Sequence, residues 1–558
     1  IKRCGYDAIF FVGQSDEPVY FIHKDGKPEL RSASELWGRD AVETEKLLKD
    51  EHGKVKVACI GQAGENLSLF SGIVNDYGRI AARSGLGAVM GSKKLKAVVL
   101  SGKEKIPVHD RDRIVALNKQ FQRFLKRLEF VEKRPWLGRM LTIAGKISWR
   151  FKFFPRDESF AWKLILRRYG TSGATAMAAY SGDSPVRNWK GVGIIDFLGA
   201  EKLSDESIIR YQNKRYACFN CPIGCGGICS YKDDRYELAE THKPEYETLS
   251  AFGSLILNND LGTIFKINDM CNRAGIDTIS TGTVCAFAVE AFERGLITEK
   301  DTGGLKLAWG DGETIVELVK KIIEREDIGD LLADGVKRAA EKLNQNADEF
   351  AAHSGGQELP MHDPRYDPGF AVTYVAEPTP GRHTITSLAF AELQEIDKMF
   401  FGKKKMFTTH KERYTYTGKG EYLATASKYV HVGNGCGVCL FGMQMGTAYK
   451  MFDYINAATG WNLSPREYLK IGERIQHMRY AYNVREGITV KDVKIMPRAV
   501  GRPPLDRGPN ARITIDMDTM LREFCDAYGW DYDTGLPRKE KLEELGLEEV
   551  KRDVYPQA

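Results

Sequence analysis

The chain has 558 residues, more than one hydrophobic core usually organises, so we expect about two to four domains. Hydrophobic residues make up 42% of it, and no apolar run approaches the ~18–20 residues that span a bilayer, which excludes a membrane-spanning class. A net charge of +5 is too small to indicate nucleic-acid binding. The 11 unevenly spaced cysteines argue against a secreted disulfide framework and favour a reducing, cytoplasmic compartment with a metal site.

The first hundred residues alternate apolar runs with Gly and Asp turns, which predicts a β-rich domain. The runs "YDAIFFVG" (6–13) and "EPVYFIHKDGKP" (17–28) predict strands joined by a polar turn. Because the chain starts abruptly and without Met, we expect that the native N-terminus is missing.

Beyond Asp110, a plausible helix cap, the apolar spacing becomes helical. Residues 121–155 are basic and aromatic, with nine Lys or Arg against two Glu, and predict an amphipathic surface helix pair. A Gly- and Pro-rich passage at 354–383 separates two helical regions. The predicted fold is therefore α+β, with a β-rich base over 1–104 and mainly helical domains over 105–362 and 363–558. Between the base and the Gly/Pro passage, the predicted helices cover 205–217, 247–256, 261–275, 282–295, 313–326 and 328–343.

The most chemically distinctive stretch is "YACFNCPIGCGGICSY" (216–231), with Cys218, Cys221 and Cys225 in a C-x2-C-x3-C pattern and Cys229 four residues on. Three closely spaced thiolates in a Gly-rich loop favour a [4Fe–4S] cluster, since glycine lets the backbone fold tightly around the sulfurs. Zinc and unligated buried thiols are the alternatives. A fourth ligand has to come from elsewhere, and "HVGNGCGVCLFG" (431–442) offers Cys436 or Cys439.

Several segments in the same order together resemble the tungsten-dependent aldehyde:ferredoxin oxidoreductase family. Its Gly-rich segment is similar to "GRIAARSGLGAVMGSKKLKAVV" (78–99), and its GT…P-x-N-W stretch to "YGTSGATAMAAYSGDSPVRNW" (169–189). The cysteine motif follows, then "KPEYET" (243–248). Two further motifs resemble "NRAGIDTISTG" (272–282) and "NGCGVCL" (434–440). Family members hold tungsten, or sometimes molybdenum, between two pterins beside a [4Fe–4S] cluster.

The resemblance implies a role for each matching residue. The β-rich base would bind pterin. Cys218, Cys221 and Cys225 would ligate the cluster, with Cys439, not Cys436, as fourth ligand. Glu247 would be the active-site glutamate, and His383 is the candidate histidine. The implied pterin-binding residues are Arg83, Ser84, Asn272, Gly275, Ile276, Asp277, Asn434, Gly437, Val438 and Leu440, with Mg²⁺ possible between the pterin phosphates.

Two departures from the family pattern stand out. Asn272 and Asn434 replace aspartates, which removes two negative charges from the pterin loops and puts the usual substrate range in doubt. About a hundred N-terminal residues of the family domain are expected to be missing. Cys229, Cys271 and Cys285 are expected to be buried core thiols.

The predicted function is oxidation of aldehydes to carboxylic acids, with ferredoxin or an iron–sulfur subunit as electron acceptor and an oligomer or complex as the working form. An alternative is a benzoyl-coenzyme A ring reductase of the same family, in which the basic segment 121–155 binds coenzyme A. A third is a non-catalytic electron-transfer subunit that keeps only the cluster. A zinc-binding structural protein is the last.

Overall fold

The computed structural model describes residues 1–132, 134, 136, 140, 159–204, 206–402, 407 and 410–556. Most of the predicted basic segment beyond residue 132 lies outside the described residues. The role of this segment in coenzyme A binding therefore stays a prediction. Within the described part of the chain, no helix is long and apolar enough to cross a membrane.

A six-stranded mixed sheet forms the N-terminal region, in the order β2-β1-β6-β3-β4-β5. β1 runs parallel to β6, and every other neighbouring pair is antiparallel. Inward-facing Tyr20 and Ile22 on β1 pack against Leu48 of the helix that covers the sheet. The strands are Val19–Lys24 (β1), Lys27–Ser32 (β2), Lys56–Cys59 (β3), Ile73–Asn75 (β4), Arg79–Ala81 (β5) and Leu95–Leu100 (β6).

The predicted hairpin is present but displaced along the chain. The strand predicted at 6–13 is wrong, because that segment joins no sheet. The hairpin consists of β1 and β2, and its turn uses Asp25 and Gly26 at φ 53° and 78°. An Asp-Gly pair tolerates these positive φ values, which match the twist of a two-residue hairpin.

A second, antiparallel sheet frames the cysteine loop. Its strands are Gln212–Tyr216 (β7), Gly226–Lys232 (β8) and Glu237–His242 (β9). The helix predicted at 205–217 is wrong beyond Ile209, because β7 pairs with β8 across the cysteine loop. A partner that lies beyond the loop is invisible to local helical spacing. Two short strands, His353–Ser354 (β10) and Gln357–Glu358 (β11), form a hairpin in the Gly- and Pro-rich passage.

Helices dominate the rest of the described chain, which confirms the α+β prediction. Asp260, Asp277 and Asp311 each begin a helix by accepting a hydrogen bond from a first-turn N–H. The helices are Ala41–His52, Gln62–Glu65, Leu86–Ser92, Arg111–Glu132, Ser159–Tyr169, Thr175–Ser181, Glu206–Ile209, Tyr246–Ala251, Leu261–Ala274, Thr278–Glu293, Gly312–Glu324, Ile328–Leu332, Val336–Leu343, Gly369–Ala376, Leu388–Leu393, Ile396–Phe400, His410–Arg413, Lys419–Gly435, Leu440–Met443, Met451–Thr459, Pro465–Arg485, Met517–Tyr528, Lys539–Glu544 and Glu548–Val554.

Two large apolar cores hold these helices together. One surrounds Trp189, Phe265 and Phe287, and the other surrounds Tyr429 and Trp530. The first core also includes Ala499, so a residue from the C-terminal part of the chain packs with the helices of the middle part. The division at 104/105 and 362/363 stays a prediction.

The helix Arg111–Glu132 does not lie free on the surface. Its buried Leu125 packs with Leu164 of the helix Ser159–Tyr169, and both belong to a cluster that reaches Cys221 and Cys225. The apolar face of this basic helix therefore supports the cysteine loop.

A buried carboxylate joins the middle of the chain to its C-terminal part. Glu290 is fully buried and accepts hydrogen bonds from Arg498 at 2.8 and 2.9 Å and from Asn188 at 2.8 Å. Burial would raise the pKa of Glu290, but the hydrogen bonds and charge of Arg498 outweigh it and lower the pKa. Three residues along the same helix, Glu293 pairs with Arg187 at the surface, where ion pairs contribute little.

We expect Glu290→Gln to lower the free energy of unfolding by about 3 kcal/mol, because it leaves the Arg498 charge without its partner. Glu293→Gln, the matched control, should cost less than about 1 kcal/mol. Since the pKa of Glu290 is lowered in the folded state, its stabilisation is present above the ordinary glutamate pKa and is lost as pH falls through the lowered value. Urea unfolding at several pH values measures both effects, and equal costs for the two variants would contradict a stabilising role for the buried Glu290–Arg498 pair.

Candidate active site

Two loops far apart in the sequence bring four thiols together. Cys218, Cys221 and Cys225 lie between β7 and β8, and Cys439 precedes the short helix Leu440–Met443. Cys439 is an exposed residue, but partial desolvation still raises the pKa of its thiol, and nearby Cys221 and Cys218 raise it further. Burial raises the pKa of Cys225 to about 12, and Cys439 and Cys221 contribute to that shift. The four predicted ligands therefore interact electrostatically with one another.

Cys436 differs from Cys439 in this respect. Loss of water alone raises the pKa of the Cys436 thiol, with no contribution from another cysteine. Thiols that raise one another's pKa ionise together only if a cationic group neutralises them, so the donor set suits a bound metal cluster. The choice of Cys439 as fourth ligand stays a prediction, and this difference favours it.

A cavity of about 460 Å³ lies beside β5 and brings several predicted residues together. Asn272, Asp277 and Glu247 all line it. In its wall, Nδ1 of His242 and Oε1 of Glu247 are buried and lack hydrogen-bond partners among the described residues. Such unsatisfied polar atoms fit a polar ligand such as a pterin, which offers both donors and acceptors.

The loop from Asn272 to Asp277 forms the joint between two helices. Gly275 ends the first helix at φ 69°, and its carbonyl accepts a hydrogen bond from the Gly72 amide at 2.8 Å. Ile276 is buried, and Asp277 caps the second helix by accepting from the Ser280 amide at 2.7 Å. Burial raises the pKa of Asp277, although the charge of Arg83 opposes the shift. The loop thus holds the Asn272 side chain at the cavity wall.

The other predicted pterin residues lie outside that wall, as far as the described lining residues go. Arg83 donates to the carbonyls of Glu358 at 3.1 Å and Gly381 at 2.8 Å, and Ser84 donates to Gln357 at 2.8 Å. The predicted pterin residues near Cys439 lie at and just beyond the end of the helix Lys419–Gly435. They are Asn434, Gly437 (φ 73°), Val438 and Leu440.

Arg79 connects the cysteine loop to the cavity, a role that the sequence did not suggest. Its guanidinium donates to Glu245 at 3.1 Å and lies 4.7 Å from the ring centre of Tyr216. Burial would lower the pKa of Arg79, but Glu245 and the thiols of Cys225 and Cys218 raise it. A retained positive charge therefore lies between the thiols and the cavity that Arg79 lines.

Glu247 and His383, the predicted catalytic pair, meet in the structure. Glu247 Oε2 accepts a hydrogen bond from the Met361 amide at 2.8 Å. Its Oε1 lies 3.4 Å from Nε2 of His383 and 3.4 Å from Nε2 of His362, but neither contact has hydrogen-bond geometry. His362 was not among the residues predicted for the site. Its only local signal was a second histidine in the Gly- and Pro-rich passage, within "PMHDPRYDPG".

The two histidines differ in charge. Burial disfavours the charged form of His362, yet Asp183 and Glu247 outweigh it and raise the pKa of His362 to about 9. Burial, together with the positive charge of His362 and two arginines, holds the pKa of His383 well below its usual value. Burial also raises the pKa of Glu247, against the charge of His362. A basic carboxylate between a charged and a neutral imidazole is equipped for proton transfer.

Thiols for a metal cluster, a polar cavity beside them and a buried acid–base group define the class of cofactor-dependent redox enzymes. Comparison with known proteins agrees. Residues 1–102 match the profile "Aldehyde ferredoxin oxidoreductase, N-terminal domain", and residues 155–547 match "Aldehyde ferredoxin oxidoreductase, domains 2 & 3". The chain belongs to the aldehyde ferredoxin oxidoreductase family, a family of tungsten oxidoreductases, as the sequence motifs predicted.

Curated relatives include tungsten-containing aldehyde ferredoxin oxidoreductases from Thermococcus kodakarensis and Pyrococcus furiosus. Each is 33% identical to this chain over 98% of its length and 83% of the relative's. A third, the WOR-like subunit of an aliphatic sulfonate oxidoreductase from Pyrococcus furiosus, is 28% identical over 99% of this chain and 82% of the relative.

The active-site complex BamBC of benzoyl coenzyme A reductase shares the fold, with a TM-score of 0.73 at 22% identity over 100% of this chain and 83% of that one. The expectation that part of the family's N-terminal domain is missing needs correction. Residues 1–102 match that domain and build the six-stranded sheet.

We expect Gly78→Ala to weaken retention of the tungsten cofactor about tenfold, because the added methyl would lie 2.7 Å from Cδ2 of His242 and 3.5 Å from Cγ of Asn272. Gly26→Ala is the control, since Gly26 also has a positive φ but open space around its Cα. Metal analysis after dialysis measures tungsten per chain. Equal retention in the two variants would show that a cofactor does not use this part of the cavity.

Proposed function

We propose that this chain oxidises aldehydes to carboxylic acids at a tungsten bis-pterin centre and passes the electrons through a [4Fe–4S] cluster to ferredoxin. The observation that supports this most is Glu247. It is a buried carboxylate with one unsatisfied oxygen, in the wall of the cavity that Asn272 and Asp277 also line. The 33% identity to relatives named as tungsten-containing aldehyde ferredoxin oxidoreductases supports the substrate class.

The chain offers residues for each part of the cofactor. When bound, the tungsten bis-pterin would supply the two-electron redox step. We infer that Arg83 and Ser84 would bind pterin phosphate, and that Mg²⁺ would add positive charge at the phosphates. One pterin would be held by Asn272, Gly275, Ile276 and Asp277, and the other by Asn434, Gly437, Val438 and Leu440.

Protons are the part of the reaction that side chains handle. Oxidation of an aldehyde with water to a carboxylic acid releases two protons and two electrons. Glu247 can accept a proton as general base, because burial brings its pKa closer to the working pH. His383 stays neutral because its pKa is lowered, so the second proton is released to solvent. Oε1 of Glu247 has no hydrogen-bond partner among the described residues, so it keeps a lone pair with which to accept a proton.

The four thiols are the residues that would serve electron transfer. Cys218, Cys221, Cys225 and Cys439 would hold a [4Fe–4S] cluster, which would supply one-electron transfer when bound. Arg79 contributes positive charge between these thiols and the cavity, which stabilises the more negative, reduced state of a cluster. A ferredoxin or an iron–sulfur subunit would be the acceptor, and an oligomer or complex remains our expectation.

We expect the anaerobically purified holoenzyme to oxidise small aldehydes to acids with a viologen or ferredoxin acceptor. Glu247→Gln should keep its tungsten and lose about 10²- to 10⁴-fold in kcat, because a general base is removed. Product analysis of a series of aldehydes measures this. Reduction of benzoyl-coenzyme A without aldehyde oxidation would instead establish the ring-reductase alternative, and no turnover by a tungsten-loaded protein would contradict both.

The fourth cluster ligand is tested by a matched pair of variants. We expect Cys439→Ser to lose most of the bound iron and Cys436→Ser to retain it, because only Cys439 interacts electrostatically with the other three thiols. Iron per chain and the electron paramagnetic resonance signal of the reduced protein report the outcome. Loss of iron in the Cys436 variant alone would overturn the assignment.

A further inference from the structure

Four ionisable side chains form a continuous row at the candidate active site. Asp183 Oδ2 lies 2.9 Å from Nδ1 of His362, and Nε2 of His362 lies 3.4 Å from Glu247 Oε1. Nε2 of His383 lies 3.4 Å from the same Glu247 oxygen, and the His383 and His362 ring centres are 5.4 Å apart. The atoms of Glu247, His362 and His383 that could ligate a metal, one from each residue, all lie within 4.8 Å of one another.

The surroundings hold His362 in one position. Its ring stacks on Phe370 at 5.0 Å with an angle of 20°, and the Tyr246 ring lies 5.0 Å away. Its backbone carbonyl accepts a hydrogen bond from the Tyr374 hydroxyl at 2.9 Å. Its two ring nitrogens face carboxylates, Asp183 at Nδ1 and Glu247 at Nε2. A ring fixed in this way is built for one role at the site.

The balance of charge around His362 is negative. Asp183 and Glu247 face its two ring nitrogens, and Asp367 also acts on it. The neighbouring acid Asp363 is neutralised by a bidentate contact with buried Arg365. The other titratable groups nearby are the hydroxyls of Tyr246 and Tyr374 and the neutral His383. Arg83 acts on Glu247 and His383, Arg382 acts on His383, and Asp277 acts on Glu247.

We propose that His362, fixed as an imidazolium by Asp183, is a positioning residue that keeps Glu247 ionised and ready to accept a proton. This inference rests on the proposed aldehyde oxidation. His362 and His383 then have opposite tasks, since one supplies a fixed positive charge and the other stays neutral. A protonated imidazole has no lone pair for a metal, so the same three groups do not form a cation site in this state.

The direct test follows each histidine separately by mass spectrometry of hydrogen exchange at ring carbon Cε1, on holoenzyme over a range of pH. In the wild type, we expect His362 to titrate near pH 9 and His383 to titrate at a lower pH. In Asp183→Asn its midpoint should fall by about one pH unit or more, because the main charge that holds the proton is gone. Asp183→Glu should restore it. His109→Gln, on an exposed loop, is the control and should leave the midpoint unchanged.

The pH dependence of kcat/KM gives a second readout. The acid limb should follow Glu247 and the alkaline limb His362. Asp183→Asn should move the acid limb to higher pH, since Glu247 loses a positive neighbour, and the alkaline limb to lower pH. The profile should therefore become narrower, with tungsten and iron contents unchanged.

The inference would be overturned by a wild-type His362 that titrates no higher than His383, or by an Asp183→Asn midpoint equal to that of the wild type. Neither result depends on aldehyde turnover. If aldehydes are not oxidised but His362 titrates as expected, the proposed function fails while the charge state of His362 stands. A variant that does not fold leaves the wild-type comparison of His362 with His383 as the deciding measurement.

Discussion

The burial of the Glu247 carboxylate is the constraint on which the candidate site depends. A buried carboxylate is costly unless its environment compensates it. Here Oε2 accepts a hydrogen bond from the Met361 amide, and Oε1 lies 3.4 Å from Nε2 of His362 and from Nε2 of His383. The segment that supplies these partners is held in turn, because the Tyr246 hydroxyl donates to the Met361 carbonyl at 2.5 Å and the Asp363 amide donates to the Asp183 carbonyl at 2.7 Å.

Under the proposed function, the same arrangement would separate the groups that handle protons from those that handle electrons. Glu247 and the histidines lie on the side of the Gly- and Pro-rich passage, whereas the four thiols lie on the side of β7 and β8. Arg79 lines the cavity and acts electrostatically on Cys225 and Cys218. The clustered thiols lie in the loop that joins two paired strands, and Asp277 and Cys439 lie at the starts of helices. Strands and helices fix geometry better than free loops.

What the sequence could predict was local. The C-x2-C-x3-C spacing indicated a cluster, and helical spacing predicted helices at 261–275 and 313–326, which the structure has as Leu261–Ala274 and Gly312–Glu324. The failures were non-local. β7 forms because its backbone pairs across the cysteine loop, and the contact between Asp183 and His362 joins residues 179 positions apart. No spacing rule connects such distant residues, so the row of charges became visible only once the fold brought them together.

The most direct test of the proposed redox centre is the metal and pterin content of the anaerobically purified protein, determined per chain. We predict about one tungsten, about four iron atoms and two pterins, since four thiols and a polar cavity are present to hold them. Iron without tungsten or pterin would mean that the cavity beside Glu247 holds no redox cofactor and would favour an electron-transfer subunit. Zinc without iron would contradict the assignment of the four thiols.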